Sequence, residues 1–271
     1  TGLWDAKLST TPVLAITGQI PTGQLGTRAF QEVPLGEALG PVAGWSKRMS
    51  ASDGPRVATD MVDFAVTQRD IAHLVVPDDV QTLPAVEAEP PGPRPQPNAL
   101  DLTGADAAAI ATMIEASDFP LIVIGRGGAA HADSIVALAE HIDAAMVTTF
   151  PAKGSIPEHH ALATGVLGRS GTPVSAAMQT KSDLIIVFGG GMAPHTGISD
   201  KRPVIRIDTS ALASRRNQKN VAIFALADAG RAAERLLNDL SPCDRPELRV
   251  WIAERKEWWR DRKASRHGYD V

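Results

Sequence analysis

Apolar residues fall along this chain in two alternating patterns. Short unbroken blocks, Leu121-Ile-Val-Ile124, Ala145-Met-Val-Thr-Thr149, Asp183-Leu-Ile-Ile-Val-Phe188, Pro203-Val-Ile-Arg-Ile207 and Val221-Ala-Ile-Phe-Ala225, are too short for helices and predict strands buried on both faces. Between them lie segments of helical character: about Ala132 to Ile142, about Val174 to Lys181, and Asp228 to about Leu240. Buried strands separated by helices predict an α/β fold with a doubly wound parallel sheet.

The first third of the chain repeats this pattern more sparsely. Pro12-Val-Leu-Ala-Ile-Thr17, closed by Gly18, and Ala72-His-Leu-Val-Val76, closed by Pro77, predict strands. Arg56 to Gln68 predicts a helix, with Val57, Met61, Phe64 and Ala65 at helical spacing. Two strands and one helix bury too little for a free-standing core, so this part reads as the end of a partial α/β domain. Between Glu87 and Pro97 the chain carries five prolines in eight residues, 90–97. Proline fixes φ and biases its predecessor toward extended backbone, so a stiff linker is expected. The last segment, Glu247 to Arg266, places Trp251, Trp258 and Trp259 among many charges and predicts a connector helix.

Composition narrows the function. Lys and Arg number 27 against 31 Asp and Glu, a formal net charge of −4 and a pI near 6.0, which argues against an electrostatic nucleic-acid binder. Aromatics are only 4%, too few for base-stacking platforms. The single Cys243 makes no intrachain disulfide and no thiolate metal site. No apolar run approaches the length of a membrane helix and no secretory leader pattern opens the chain, so a cytoplasmic protein without a transmembrane segment is expected. The chain begins at Thr1 and stops at Val271 without capping logic, as a piece of something longer does.

Gly125-Arg-Gly127-Gly-Ala-Ala130 fits G-x-G-x-x-A at a strand-to-helix turn, where glycines permit either a close backbone approach to a phosphate or tight packing. The acid that ordinary NAD binding wants about 20 residues further on is missing, because the next strand ends in Thr148-Thr149. Gly189, Gly190 and Gly191 follow another strand, Asp208 closes a third, and Asp228 opens a helix after a fourth. All lie at the sheet edge where open α/β folds bind ligands. Asp208 or Asp228 suits ribose hydroxyls, while an acid at a helix start equally suits a cap. His159, His160 and His195 lack metal-ligand spacing and read as surface residues, so no metal ligands are assigned. Neither a nucleophile elbow nor a P-loop occurs.

Taken together, several motifs resemble the thiamine diphosphate-dependent enzymes of the acetolactate synthase and pyruvate oxidase group. They are Asp5-Ala-Lys7, Pro12-Val-Leu-Ala-Ile-Thr-Gly-Gln19, Gly26-Thr-Arg-Ala-Phe-Gln-Glu32, Val76-Pro-Asp-Asp-Val-Gln81, Ile124-Gly-Arg-Gly127, Thr148-Thr-Phe-Pro-Ala-Lys-Gly154 and Gly165-Val-Leu-Gly-Arg-Ser-Gly171. The resemblance implies residues 1–85 as the end of a pyrimidine-binding domain, 86–99 as the linker, 100–240 as a central nucleotide-binding-like domain and 241–271 as a connector to a pyrophosphate-binding domain. It places Phe30 and Gln31 on a wall of the substrate pocket. It also implies FAD or ADP contacts at Gly125, Gly127, Thr149, Phe150, Gly168, Gly189, Gly190, Asp208 and Asp228.

The family's activating glutamate and its Gly-Asp-Gly…Asn motif for magnesium and diphosphate have no match here, so the chain is expected to be catalytically incomplete alone. The longer parent is expected to use thiamine diphosphate and Mg2+ on pyruvate or a related 2-oxo acid, as a dimer or tetramer. Pro77-Asp78-Asp79-Val80 replaces the Pro-Lys-Asp-Val usual in acetolactate synthases, and Ala72-His-Leu74 replaces their Gly-Pro-Val; both tilt the likeness toward pyruvate oxidases. A non-catalytic FAD- or ADP-binding module is the alternative, and an NAD-dependent oxidoreductase a third.

Overall fold

The computed structural model describes residues 1–84, 100–211 and 220–265, and the chain forms two compact units, Thr1–Pro97 and Asn98–Val271. The proline-rich linker expected over 86–99 lies outside the described residues.

The first unit contains α1 (Gly2–Leu8), β1 (Val13–Gln19), α2 (Leu35–Leu39), β2 (Trp45–Arg48), α3 (Gly54–Gln68), β3 (Ile71–Pro77) and α4 (Asp78–Gln81). Its parallel sheet has the order β1-β3-β2. Ala72 and Leu74 of β3 pack with Val57, Met61 and Ala65 of α3, and Trp45 meets Phe64 edge-on at 5.6 Å. Four of these, Val57, Met61, Phe64 and Ala65, were legible as the helix stripe. Two expectations are corrected. Gly18 does not end β1 but continues it opposite Val76, because a parallel ladder needs only backbone there. Strand β2 was also missed: at four residues it is too short to show a period.

The second unit contains α5 (Gly104–Glu115), β4 (Pro120–Ile124), α6 (Arg126–Ala129), α7 (Ala132–His141), β5 (Ala145–Thr149), β6 (Ala163–Leu167), α8 (Pro173–Lys181), β7 (Leu184–Phe188), β8 (Val204–Asp208), β9 (Val221–Leu226), α9 (Ala229–Asp239) and α10 (Pro246–Ala264). Its six strands run parallel in the order β6-β5-β4-β7-β8-β9. Numbered within the sheet, this is 3-2-1-4-5-6, the doubly wound order, with its switch point between β4 and β7. Every residue of β4, β5 and β7 is buried, which accounts for their unbroken apolar runs.

Helices α5, α8 and α9 start where a side chain satisfies free amides of the first turn. Thr103 Oγ1 accepts from Asp106 N (3.0 Å) and donates to Asp106 Oδ2 (2.7 Å), Thr172 Oγ1 accepts from Ser175 N (3.2 Å), and Asp228 Oδ1 accepts from Gly230 N and Arg231 N (3.0 and 3.1 Å). At the far end, Arg245 latches α10 onto the unit. Its guanidinium donates to the carbonyls of Ser117 (2.9 Å), Ile114 (2.7 Å) and Ile142, the last two near the ends of α5 and α7. Buried Asp143 accepts from Arg245 N (2.5 Å) and Arg249 Nη1 (2.7 Å).

Candidate ligand-binding edges

In the second unit the switch point is formed by two glycine turns that touch through their backbones. Gly125 N donates to Phe188 O (2.8 Å), Gly127 N to Gly189 O (3.0 Å), and Gly189 N to Ile207 O (2.9 Å). A Cβ on Gly125 would lie 2.3 Å from Gly189 O and 2.5 Å from the Gly190 Cα. Gly189 has φ +60°, and its Cβ would lie 2.5 Å from the backbone of Gly127 and Gly128. So the structure brings Gly125, Gly127, Gly189 and Gly190 together, as one interlocked pair of turns. The missing side chains make room for the neighbouring turn, and the Gly125 and Gly127 amides already have carbonyl partners.

The other candidates surround this lock in different states. Thr149 is buried at the end of β5, whereas Phe150, next along, is 64% exposed. Gly168 lies against the backbone of 195–196, and Arg169 N donates to His195 O (3.1 Å). Asp208 is engaged on both oxygens, by Arg206 Nη2 (3.3 Å) and by Ser210 N (3.0 Å). Asp228 caps α9, and its Oδ2 lies 3.4 Å from His131 Nε2. His131 carries no motif, and only the fold places it there. His160, read as a surface residue, is half-buried; its Nε2 lies 3.0 Å from Glu140 Oε1.

The fit to an adenine nucleotide is therefore uneven. The carboxylates of Asp208 and Asp228 and the amides of the first glycine turn are used within the chain. Exposed Gly191 and Phe150, and half-exposed Gly168 and Gly189, remain along the edge.

In the first unit the loop 20–34 bears Phe30 and Gln31, and carboxylates shape it. Asp79 accepts from Thr22 N (3.0 Å) and Thr22 Oγ1. These bonds, the hydroxyl's foremost, hold the Asp79 carboxyl below its ordinary range. Glu32 accepts from Gly26 N and Arg28 N (2.5 and 2.7 Å), and Gln19 Nε2 donates to Val33 O (2.8 Å). Phe30 is left 88% exposed, and Gln31 has φ +66°. Beside the loop, at the carboxyl ends of the strands, lies a cleft of about 630 Å³ whose lining includes Gln19, Arg28, Glu32, Lys47 and Arg48 but neither Phe30 nor Gln31. Sequence reasoning missed this cleft, because its lining is scattered over β1, the loop, α2, β2 and β3.

Behind that cleft His73 is fully buried in the central strand. Its Nε2 lies 2.9 Å from Thr17 Oγ1 and its Nδ1 2.8 Å from Ser46 Oγ, so one ring nitrogen donates and the other accepts. Burial pushes its pKa down, favouring the neutral ring. Among the described residues no group of three or more His, Cys, Asp or Glu side chains is placed to hold a metal. Also among the described residues, no helix is long and apolar enough to cross a membrane.

Sheet order and the paired glycine turns together define a doubly wound α/β domain. Residues 107–236 match the family described as the thiamine pyrophosphate enzyme, central domain. The acetolactate synthase large subunit of Parasynechococcus marenigrum is 32% identical over 279 residues, covering 97% of this chain and 44% of that protein. That of Corynebacterium glutamicum is 33% identical over 201 residues, covering 70% and 31%. A solved structure from Mycobacterium smegmatis, assigned as a thiamin diphosphate-dependent enzyme, shares the fold at a TM-score of 0.67 with 23% identity, covering 89% of this chain and 48% of that one. Residues 107–236 are thus a thiamine pyrophosphate enzyme central domain, and the chain is similar to acetolactate synthase large subunits. It spans less than half the length of these relatives.

Proposed function

We propose that this chain is part of a thiamine diphosphate-dependent enzyme acting on pyruvate or a related 2-oxo acid, of the acetolactate synthase or pyruvate oxidase type. In this reading 1–85 ends a pyrimidine-binding domain, 86–99 links it to the central domain 100–240, and 241–271 leads toward a pyrophosphate-binding domain. The observation that carries the reading is the central-domain match, over residues that build a doubly wound sheet with two glycine turns at its switch point. When bound, the coenzyme supplies a carbanion at its thiazolium ring, and magnesium holds its diphosphate. This chain's own part is to hold the loop that presents Phe30 and Gln31, through Asp79, Glu32 and Gln19. The complete enzyme is proposed to be a dimer or tetramer in the cytoplasm. The coding sequence on either side tests the reading: it should encode a glutamate-bearing domain upstream and a Gly-Asp-Gly…Asn motif downstream. Stop codons close to both ends would refute it.

A second reading, a non-catalytic module for FAD or ADP, is favoured by the same turns. The nucleotide would lie along Thr149, Phe150, Gly168, Gly189 and Gly190, beside Gly125 and Gly127, with Asp208 and Asp228 flanking. Calorimetric titration with FAD and with ADP tests it; absence of saturable binding below millimolar concentration for both would eliminate it.

A further inference from the structure

The cleft of the first unit is lined by groups that the fold itself leaves unused. Five charged side chains line it, Arg28, Lys47 and Arg48 against Glu32 and Glu37. Lys47 is paired with Asp53 (2.9 Å), and Glu32 accepts from Gly26 N and Arg28 N (2.5 and 2.7 Å). The neutral polar lining is engaged too. Gln19 Oε1 accepts from Ile20 N (2.9 Å), Gln19 Nε2 donates to Val33 O (2.8 Å), and Ser46 Oγ lies 2.8 Å from His73 Nδ1. That leaves Arg28, Arg48 and Glu37, all exposed and none with a side-chain hydrogen bond or ion pair among the described residues. Arg28 is also held in the left-handed region, φ +60°, where the two bonds to Glu32 tie its loop. A non-glycine residue stays there only where its surroundings impose it, and such positions cluster at ligand sites.

We propose that this cleft binds a short-chain dicarboxylate, one carboxylate on each free guanidinium and the carbon chain against Leu25, Leu35 and Val75. The accounting of partners selects this class. A guanidinium presents parallel N–H donors in the geometry of a carboxylate's two oxygens. Arg28 comes from the loop and Arg48 from the end of β2, so a ligand with a single carboxylate leaves one of the two unanswered. The volume, about 630 Å³, lies within the range of small-molecule sites, and the carboxyl ends of parallel strands are where α/β folds take ligands. Glu37, the one free carboxylate of the lining, works against any anion, and its removal is therefore part of the test. The claim goes beyond the proposed reaction: it concerns binding alone and stands whatever the flanking coding sequence shows.

The test is isothermal titration calorimetry of the full chain with glutarate and 2-oxoglutarate, beside pyruvate, inorganic phosphate and glutaramide, the uncharged diamide. Saturable binding of both diacids below about millimolar concentration is expected, at least roughly tenfold tighter than that of the other three. Arg28→Ala and Arg48→Ala should each weaken it by roughly tenfold with an unchanged circular dichroism spectrum, since neither side chain is bonded within the fold. Arg28→Lys keeps the charge, loses the fork and should also bind more weakly than the parent. Glu37→Gln should strengthen binding by about two- to threefold, a gain that no loss of folding can imitate. Absence of saturable heat with both diacids would overturn the proposal, and so would full binding in both alanine variants. Phosphate binding as tightly as the diacids would make the cleft a general anion site, and pyruvate doing so would leave one guanidinium without a role; either result refutes the assignment.

Discussion

Adding one methyl group at Gly125 separates a turn built to pack from a turn built only to receive a ligand. In Gly125→Ala the new Cβ would sit 2.3 Å from Gly189 O and 2.5 Å from the Gly190 Cα, both backbone, against an ordinary contact of 3.4 Å or more. Relief requires the 189–190 turn to retreat by about 1 Å, the difference between those contacts. Overpacking of this kind costs about 1–3 kcal/mol. The same retreat stretches the bonds from Gly125 N to Phe188 O and from Gly127 N to Gly189 O, at about 1 kcal/mol each. Reduced freedom of the unfolded chain returns only about 0.4–1 kcal/mol. The net loss is about 2–4 kcal/mol, which at about 2–4 °C per kcal/mol lowers the melting temperature of the second unit by roughly 4–16 °C. Gly191→Ala is the internal control: no atom lies within 4 Å of its Cβ position, so it should stay within about 0.5 kcal/mol of the parent. Scanning calorimetry, following the transition of larger enthalpy, reads both variants. Gly125→Ala melting within 1 °C of the parent, or Gly191→Ala falling equally far, would refute the interlocked-turn reading.

Three other perturbations have defined outcomes. His73 is held neutral when folded, so the first unit keeps this contribution above about pH 6.5 and loses it progressively as pH falls from there toward the depressed folded value; the urea midpoint of that unit should drop between pH 7 and 5, and His73→Gln should be less stable at pH 7 but lack that slope. Asp228→Ala removes two capping bonds from α9 and should cost about 1 kcal/mol by urea unfolding, against a few tenths for the glycine variant. For Asp79→Asn the loss of the carboxylate should speed hydrogen exchange through 20–32; in the parent, the lowered pKa keeps that protection down to pH values below the ordinary carboxylate range, and equal exchange in both proteins would remove Asp79 from its positioning role.

How far the sequence foretold this depends on what each element needs from its neighbours. Strands β4, β5, β7 and β8 were legible because both faces of a parallel sheet must be apolar, and the glycine turns because only glycine permits the contact they make. Helix α5 was passed over: Ala107, Ala108, Ala109 and Ala111 blur its apolar stripe, although Thr103 and Asp106 already marked its start. Strand β6 was read only as a family motif, since Gly165 interrupts its apolar run. Among site residues, Asp228 showed in sequence as either ligand or cap, and the structure uses it as a cap. The partners His131, Glu32 and Asp79 were not legible at all, because their roles depend on contacts 97, 6 and 57 residues away.

The interlocked turns also bear on what a nucleotide at this edge has to do. In a dinucleotide-binding turn the glycines leave amides pointing at the diphosphate. Here the amides of Gly125 and Gly127 point at Phe188 O and Gly189 O, and the two acids of the edge are tied to Arg206, Ser210, His131 and the first turn of α9. A ligand gains little from groups that must first abandon such partners, since each exchange trades one hydrogen bond for another. Affinity at this edge must then come from surface still open, the exposed ring of Phe150 and the backbone at Gly189 and Gly191, which favours stacking of a flat ring over capture of a diphosphate. FAD should therefore bind more tightly than ADP if either binds, and the reverse order would show that the turns open to receive the phosphates.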